Sequence, residues 1–276
     1  MQSTLLQPAD RLAAVVKTYA TLEGTLAGTP AVNRIVPDGS AKLVFHYGAP
    51  YERLGAGGRR ERLPGAFVVG STARPLDVAP GGATGSFVTV FDAVGLATLP
   101  DLCADDLAGG ITPLSEAFGA AGAQLAACVF AAADAAERAA LVDEFLAERA
   151  VPVPPDQADA RSLTAFVQAH AGQVTVAELC AYAKLSPRRL LRLFRRAVGL
   201  SPKRYARIVR LQAALLTLRD RSAAPSPAPR LTDIAYGAGY ADQAHFTREF
   251  RALTGLPPKR HADERLRMTL AYEPRA

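Results

Sequence analysis

The sequence contains no run of about 18 uncharged apolar residues, so no membrane-spanning helix is expected. Its start, Met1-Gln2-Ser3-Thr4, lacks a basic region followed by an apolar stretch, which argues against a secretory signal. Cysteine is scarce. Cys103, Cys128 and Cys180 stand far apart with no CxxC spacing, which argues against both a disulfide framework and a zinc ribbon. These absences point to a cytoplasmic chain with reduced thiols. Histidine is scarce too, and His46, His170, His245 and His261 are isolated in sequence from one another and from the cysteines. No Gly-rich phosphate loop, nucleophile elbow or paired-histidine motif is present. An enzyme, a metal site and a cofactor are therefore not expected.

What is present is charge, unevenly placed. Residues 1–160 hold 11 Lys+Arg and 18 Asp+Glu, a balance of −7, whereas residues 161–276 hold 21 and 8, a balance of +13. A basic half joined to an acidic half suggests a polyanionic partner for the C-terminal part only; a solvated basic face is the alternative. With 276 residues, 49% of them hydrophobic, the chain can form one large or two modest domains with their own cores.

The clearest boundary is Val151-Pro152-Val153-Pro154-Pro155, followed by Asp156-Gln157-Ala158-Asp159. Prolines remove backbone donors and disfavour helix, so residues 151–160 read as a linker between a domain at 1–150 and one at 161–265. A second irregular stretch spans residues 220–229. Before the linker, Val32–Val36, Ala41–Tyr47, Ala66–Gly70 and Ser86–Phe91 are short apolar or alternating runs, punctuated by turn formers such as Pro37-Asp38-Gly39. Leu43, Phe45 and Tyr47 fall on one strand face. Residues 112–149 turn helical, with Leu114, Ala117, Phe118, Ala121, Leu125, Leu141 and Phe145 at helical spacing. These helices either cap the β-domain or form a dimer interface.

In the basic half, Leu163, Phe166, Val167 and His170 are spaced as the packed face of a support helix over 162–173. Thr175-Val176-Ala177-Glu178 fits a capping box that opens a short helix. Ser186 then suits an N-cap, with Pro187 at the first helical position, for a helix over 187–198. Its apolar face is Leu190, Leu193, Phe194, Ala197 and Val198, and Arg188, Arg189, Arg192, Arg195 and Arg196 occupy the rest. Short helix, turn, and a second helix with apolar back and basic front is a helix-turn-helix arrangement. An ordinary amphipathic surface helix is the alternative, but five arginines without a compensating acid argue against it. Gly199 ends the helix, and Ser201-Pro202 opens a long one to about Leu218.

A second unit follows. Leu231-Thr232-Asp233-Ile234-Ala235 opens a short helix capped by Thr232, Gly237-Ala238-Gly239-Tyr240 turns the chain, and Asp242 caps a helix through residue 254. Phe246, Phe250 and Leu253 face inward there. The segments Ser186…Leu190…Phe194…Gly199-Leu200-Ser201-Pro202 and Asp242…Phe246…Phe250…Gly255-Leu256-Pro257-Pro258 superpose at a constant offset of 56, an internal repeat.

On these residues, above all Ile234-Ala235…Gly239-Tyr240-Ala241-Asp242-Gln243-Ala244-His245-Phe246-Thr247-Arg248-Glu249-Phe250…Gly255-Leu256-Pro257-Pro258, the chain resembles the AraC/XylS family of transcription regulators over about residues 160–262. The resemblance implies an α+β chain: a β-rich N-terminal sensory domain with trailing helices, then an all-α domain of two helix-turn-helix units joined by a long helix. It implies recognition helices at 187–198 and 242–254, with Arg188, Leu191 and Arg192 facing bases from the first unit and Gln243, Ala244, Thr247 and Arg248 from the second. Arg189, Arg195, Arg196, Lys203, Arg204 and Arg251, further along or flanking, are expected to meet phosphates. The implied partner is double-stranded DNA, with RNA polymerase, a small-molecule effector at the N-terminal domain and a second copy of the chain as further candidates. The Pro/Ala-rich connection at 220–230 is long for the family, and His261-Ala262 stands where it usually carries Tyr-Arg. The N-terminal part, with Pro37-Asp38-Gly39, Leu43-Val44-Phe45 and Phe67-Val68-Val69-Gly70-Ser71, is similar to an uncharacterised β-rich domain attached to such regulators.

Overall fold

A computed structural model describes residues 2–24, 32–223 and 230–263. Among the described residues there are ten strands: β1 Gln2–Leu6, β2 Val16–Gly24, β3 Asn33–Ile35, β4 Lys42–His46, β5 Tyr51–Leu54, β6 Arg60–Arg62, β7 Ala66–Val69, β8 Leu76–Pro80, β9 Thr84–Phe91 and, after the first short helix, β10 Ile111–Pro113. They form two antiparallel sheets, one of order β1-β2-β9-β4-β7-β10 and one of order β3-β8-β5-β6. The first helices are α1 Ala104–Leu107, α2 Leu114–Ala117, α3 Gly119–Ala131 and α4 Ala135–Arg149.

Strand alternation explains how the large sheet is covered on both faces. Leu43 and Phe45 of β4 and Phe87 and Phe91 of β9 pack with Leu125 and Val129 of α3 and Val142, Phe145 and Leu146 of α4. Their neighbours Val44, Val88 and Val90 point the other way, against Phe67, Tyr51 and Val78 between the sheets. Every residue of β9 is buried. Fully burying a side chain such as Phe45 or Phe87 contributes roughly 1.5–3 kcal/mol. Helices α3 and α4 thus cap the sheet.

The C-terminal part consists of α5 Asp159–Ala169, α6 Val176–Ala183, α7 Pro187–Val198, α8 Pro202–Ala223, α9 Leu231–Gly237, α10 Gln243–Thr254 and α11 Pro258–Asp263. The support helix, expected at 162–173, begins earlier and stops at Ala169, because Ala171 and Gly172 both take positive φ (48° and 73°). His170 is consequently not part of the packed face: it is exposed at the C-cap, its ring tilted against Phe166 at 4.2 Å. Helix α8 continues past Leu218 to Ala223, since no proline interrupts it before Pro225. The rest of the irregular stretch, 224–229, lies outside the described residues. The cap of α9 is Arg230 rather than Thr232: the Asp233 carboxylate accepts the Arg230 amide at 3.0 Å, leaving Thr232 inside the first turn.

The stretch at 151–160 is ordered rather than free. The Val151 amide donates to the Thr98 carbonyl at 2.8 Å, the Gln157 side chain is buried, and α5 takes the last two residues. The two halves of the chain meet closely. Val36 and Val94 of the β-rich part are buried in the same apolar cluster as Phe194, Tyr205, Ile208 and Phe250. Arg161 of α5 donates to the Ala14 carbonyl at 2.7 Å and pairs with Asp92 at 3.4 Å.

Candidate nucleic-acid interface

The first unit is assembled by local signals that all agree. Thr175 caps α6 by accepting the Glu178 amide at 3.2 Å, and Glu178 reaches back to the Thr175 amide at 2.7 Å. Those Thr175 donors, amide first and hydroxyl second, hold the Glu178 carboxyl below its ordinary range. Lys184, with φ 53°, makes the sharp turn out of α6, and Ser186 then caps α7 through the Arg189 amide at 3.4 Å. Leu190, Leu193, Phe194, Ala197 and Val198 are all buried, and Phe194 is tilted against Tyr205 of α8 at 5.9 Å. With one face committed to the core, Arg188, Arg189, Leu191, Arg192, Arg195 and Arg196 are left exposed on the other.

The second unit repeats the first in conformation as well as in sequence. Asp242 caps α10 by accepting the His245 amide at 2.6 Å. Leu190 and Phe194 in one unit, and Phe246 and Phe250 in the other, all have 0% exposure. Gly199 and Gly255, 56 positions apart, end their helices at φ 77° and 78°, a left-handed conformation that glycine adopts without strain. Gln243, Ala244, Arg248 and Arg251 are exposed on α10. Thr247 is half-buried and its hydroxyl donates to the Gln243 carbonyl at 2.8 Å. His261 supplies the last packing contact, buried and edge-on to Phe250 at 5.3 Å.

Contacts that sequence reading did not anticipate hold the units together. Arg207 of α8 pairs with Glu249 of α10 at 2.7 Å. Gln173, just before α6, donates to the Gly237 carbonyl at 3.0 Å, and a Cβ on Gly239 would collide with the same glutamine side chain. Arg210 donates to the Gly172 carbonyl at 3.0 Å and lies over the Tyr240 ring at 5.4 Å. These ties join the second unit to α8 and to the first unit through contacts that do not involve residues 224–229. Of the phosphate candidates on α8, Lys203 and Arg204 are both exposed, and Arg204 also borders a cleft of about 770 Å³ between the two halves of the chain, with Arg53 and Arg74.

Outside this surface, the three cysteines are free thiols. Among the described residues, no group of three or more His, Cys, Asp and Glu side chains is placed to hold a metal ion, and no helix is long and apolar enough to cross a membrane.

The family described as "Helix-turn-helix domain" matches residues 179–263, which contain α7 through α11. The transcriptional activator NphR of Rhodococcus sp is 28% identical over 240 residues, covering 84% of this chain and 62% of that protein. The C-terminal part of the chain is thus a helix-turn-helix domain. Residues 4–112, the strand-rich half of the chain, match a second family described only as a domain of unknown function (DUF6597). Among solved structures, ToxT from Vibrio cholerae O395 bound to (E)-4-(8-methylnaphthalen-1-yl)but-3-enoic acid shares the fold at 10% identity, with a TM-score of 0.50, 89% of this chain and 98% of that chain covered. A probable AraC family transcriptional regulator from Rhodopseudomonas palustris is 28% identical over 38% of this chain and 94% of that one, with a TM-score of 0.33.

Proposed function

We propose that the chain is a sequence-specific transcription regulator that reads two adjacent major-groove segments with α7 and α10. The observation that carries this reading is the duplicated unit: two caps, two pairs of buried core residues and two left-handed glycines at one offset, each behind an exposed polar face. Arg188, Leu191 and Arg192 on α7, and Gln243, Ala244, Thr247 and Arg248 on α10, are the base readers. Arginine can pair with guanine O6 and N7, glutamine with adenine, and Ala or Thr methyls can contact thymine. Arg189, Arg195, Arg196, Lys203, Arg204 and Arg251 are phosphate anchors, giving affinity that falls with salt. The reader is the domain at 161–265, joined through 151–160 to a domain at 1–150, and the whole acts in the cytoplasm without catalysis.

The N-terminal domain is the sensor. A pocket of about 120 Å³ lies between its two sheets, walled by Val44, Phe67, Val78 and Val88, with His46 and Tyr51 at its side. That is close to the roughly 150 Å³ of an engineered cavity that binds benzene, so the pocket suits a compact, mainly apolar molecule of about one ring. Burial lowers the His46 pKa to about 4, so a neutral imidazole faces this space at physiological pH. RNA polymerase and a second copy of the chain are further partners of the regulator in this reading. Selecting binding sites from random duplex DNA with the full chain tests the reading. Two conserved elements whose centres lie about 10 bp apart support it, and no enrichment over non-specific sequence rejects it.

A further inference from the structure

Resting on the sensor reading above, a further inference concerns how the pocket is felt by the DNA reader. The loop between β3 and β4 belongs to two places at once. Val36, Pro37, Asp38 and Ser40 form part of the pocket wall. The same loop seats α8. The Pro37 carbonyl accepts Gln212 Nε2 at 2.5 Å. Gly39, at φ 79°, lies so close to α8 that a Cβ there would be 3.0 Å from the Tyr205 ring and 3.7 Å from Ile208. Val36 itself is buried in the cluster of the DNA-binding domain. The loop is braced internally. Lys42 Nζ pairs with Asp38 at 2.7 Å, and Asp38 Oδ1 accepts the Ser40 amide at 3.0 Å. Helix α8 in turn carries Arg207, paired with Glu249 of α10.

We propose that the Val36–Ser40 loop is the coupling element of the protein: a compact apolar ligand between the sheets displaces this loop, and Gln212 and Tyr205 pass the displacement to α8. Because α8 is packed beneath Phe194 of α7 and tied by Arg207 to α10, its shift changes the placement of one reader relative to the other. Two readers on one duplex must match its helical repeat, so a small change of placement alters DNA affinity. The required element is a packed contact with two arrangements, biased from the pocket side by occupancy and from the reader side by DNA.

The test uses the full chain and needs no ligand. Val88→Phe, with Val88→Met as the milder alternative, fills the pocket from β9. Gln212→Ala cuts the link. DNA affinity at the selected site is measured for the wild type, each single variant and the doubles, with folding checked by circular dichroism. The filler is expected to change affinity by about fivefold or more, and the Gln212→Ala background to reduce that change below about twofold. Amide exchange in residues 204–215 should change with the filler and with Gly39→Ala alike. Equal fold-changes with and without Gln212, or folded fillers that leave both affinity and α8 exchange unaltered, overturn the proposal. Melting shifts with toluene, phenol and indole test the sensor reading separately: their absence removes the small-ligand reading while the mutational coupling stands or falls by itself.

Discussion

The two repeat-related glycines give a matched test of how the halves of the chain dock. Gly199 and Gly255 have nearly the same backbone conformation, so alanine at either should carry the same left-handed penalty, roughly 1–2 kcal/mol. Their surroundings differ. At Gly255 the new Cβ would meet Arg34 Nη1 at 2.9 Å and Pro75 Cγ at 3.6 Å; that guanidinium is paired with Asp77, but a side-chain end shifts by a few tenths of an ångström more readily than backbone does. At Gly199 it would lie 2.5 Å from the Ala104 carbonyl oxygen and 3.2 Å from its carbon, which are fixed backbone of α1. Relief there requires α1 to separate from α7, an overpacking cost of about 1–3 kcal/mol beyond the conformational one. Gly199→Ala should therefore destabilise the chain by roughly 2–5 kcal/mol and Gly255→Ala by roughly 1–2 kcal/mol. Equilibrium urea unfolding of the full chain, followed by fluorescence and circular dichroism together, reads the difference. Equal midpoints for the two variants would refute the docking of α7 against α1.

Other consequences are directly measurable. Arg192→Ala or Arg248→Ala should cost about 1–3 kcal/mol at the preferred site and blur one or two positions of it, whereas Arg195→Ala should weaken all sequences alike and lessen the salt dependence; identical selected sequences and salt slopes for Arg192→Ala and Arg195→Ala would remove the division into readers and anchors. His46 has its folded pKa lowered from 6.5 to about 4. The unfolded chain thus binds this proton more tightly, so stability is unaffected above about pH 6.5 and declines as pH falls toward 4, by on the order of 3 kcal/mol in total. His46→Gln should flatten that part of the pH profile, and an unchanged slope would show that other groups govern it. Arg207→Ala should lower affinity for the two-element site more than for a site carrying one element, and an equal loss on both would deny the pair a role in spacing the units.

The DNA-binding surface was legible in the sequence because its signals are local. Thr175, Ser186 and Asp242 as caps, the glycines at 199 and 255, and the buried faces of α7 and α10 are each readable within a dozen residues, and the structure places all of them as expected. Strands β4, β7 and β9 were readable for the same reason. Strands β1 and β2 escaped notice: Thr18 and Thr21 are buried polar residues whose burial follows from cross-strand pairing with β9, not from apolar alternation. The misplaced cap at Thr232 and the packed position expected for His170 came from boundaries, where one or two residues change a side chain's face. Least legible were the contacts between units and between halves. Gln173 and Gln212 donate to the backbone carbonyls of Gly237 and Pro37, 64 and 175 positions away, Arg207 pairs with Glu249 at 42, and no periodicity announces these contacts.

The ratio of specific to non-specific DNA affinity of the full chain, measured on a selected duplex at physiological salt, bears most directly on the central claim. A two-element reader should show a ratio of roughly 10³ or more, which drops sharply when about five base pairs, half a helical turn, are inserted between the elements. A ratio near one, or one indifferent to that insertion, would contradict reading by two coupled helices.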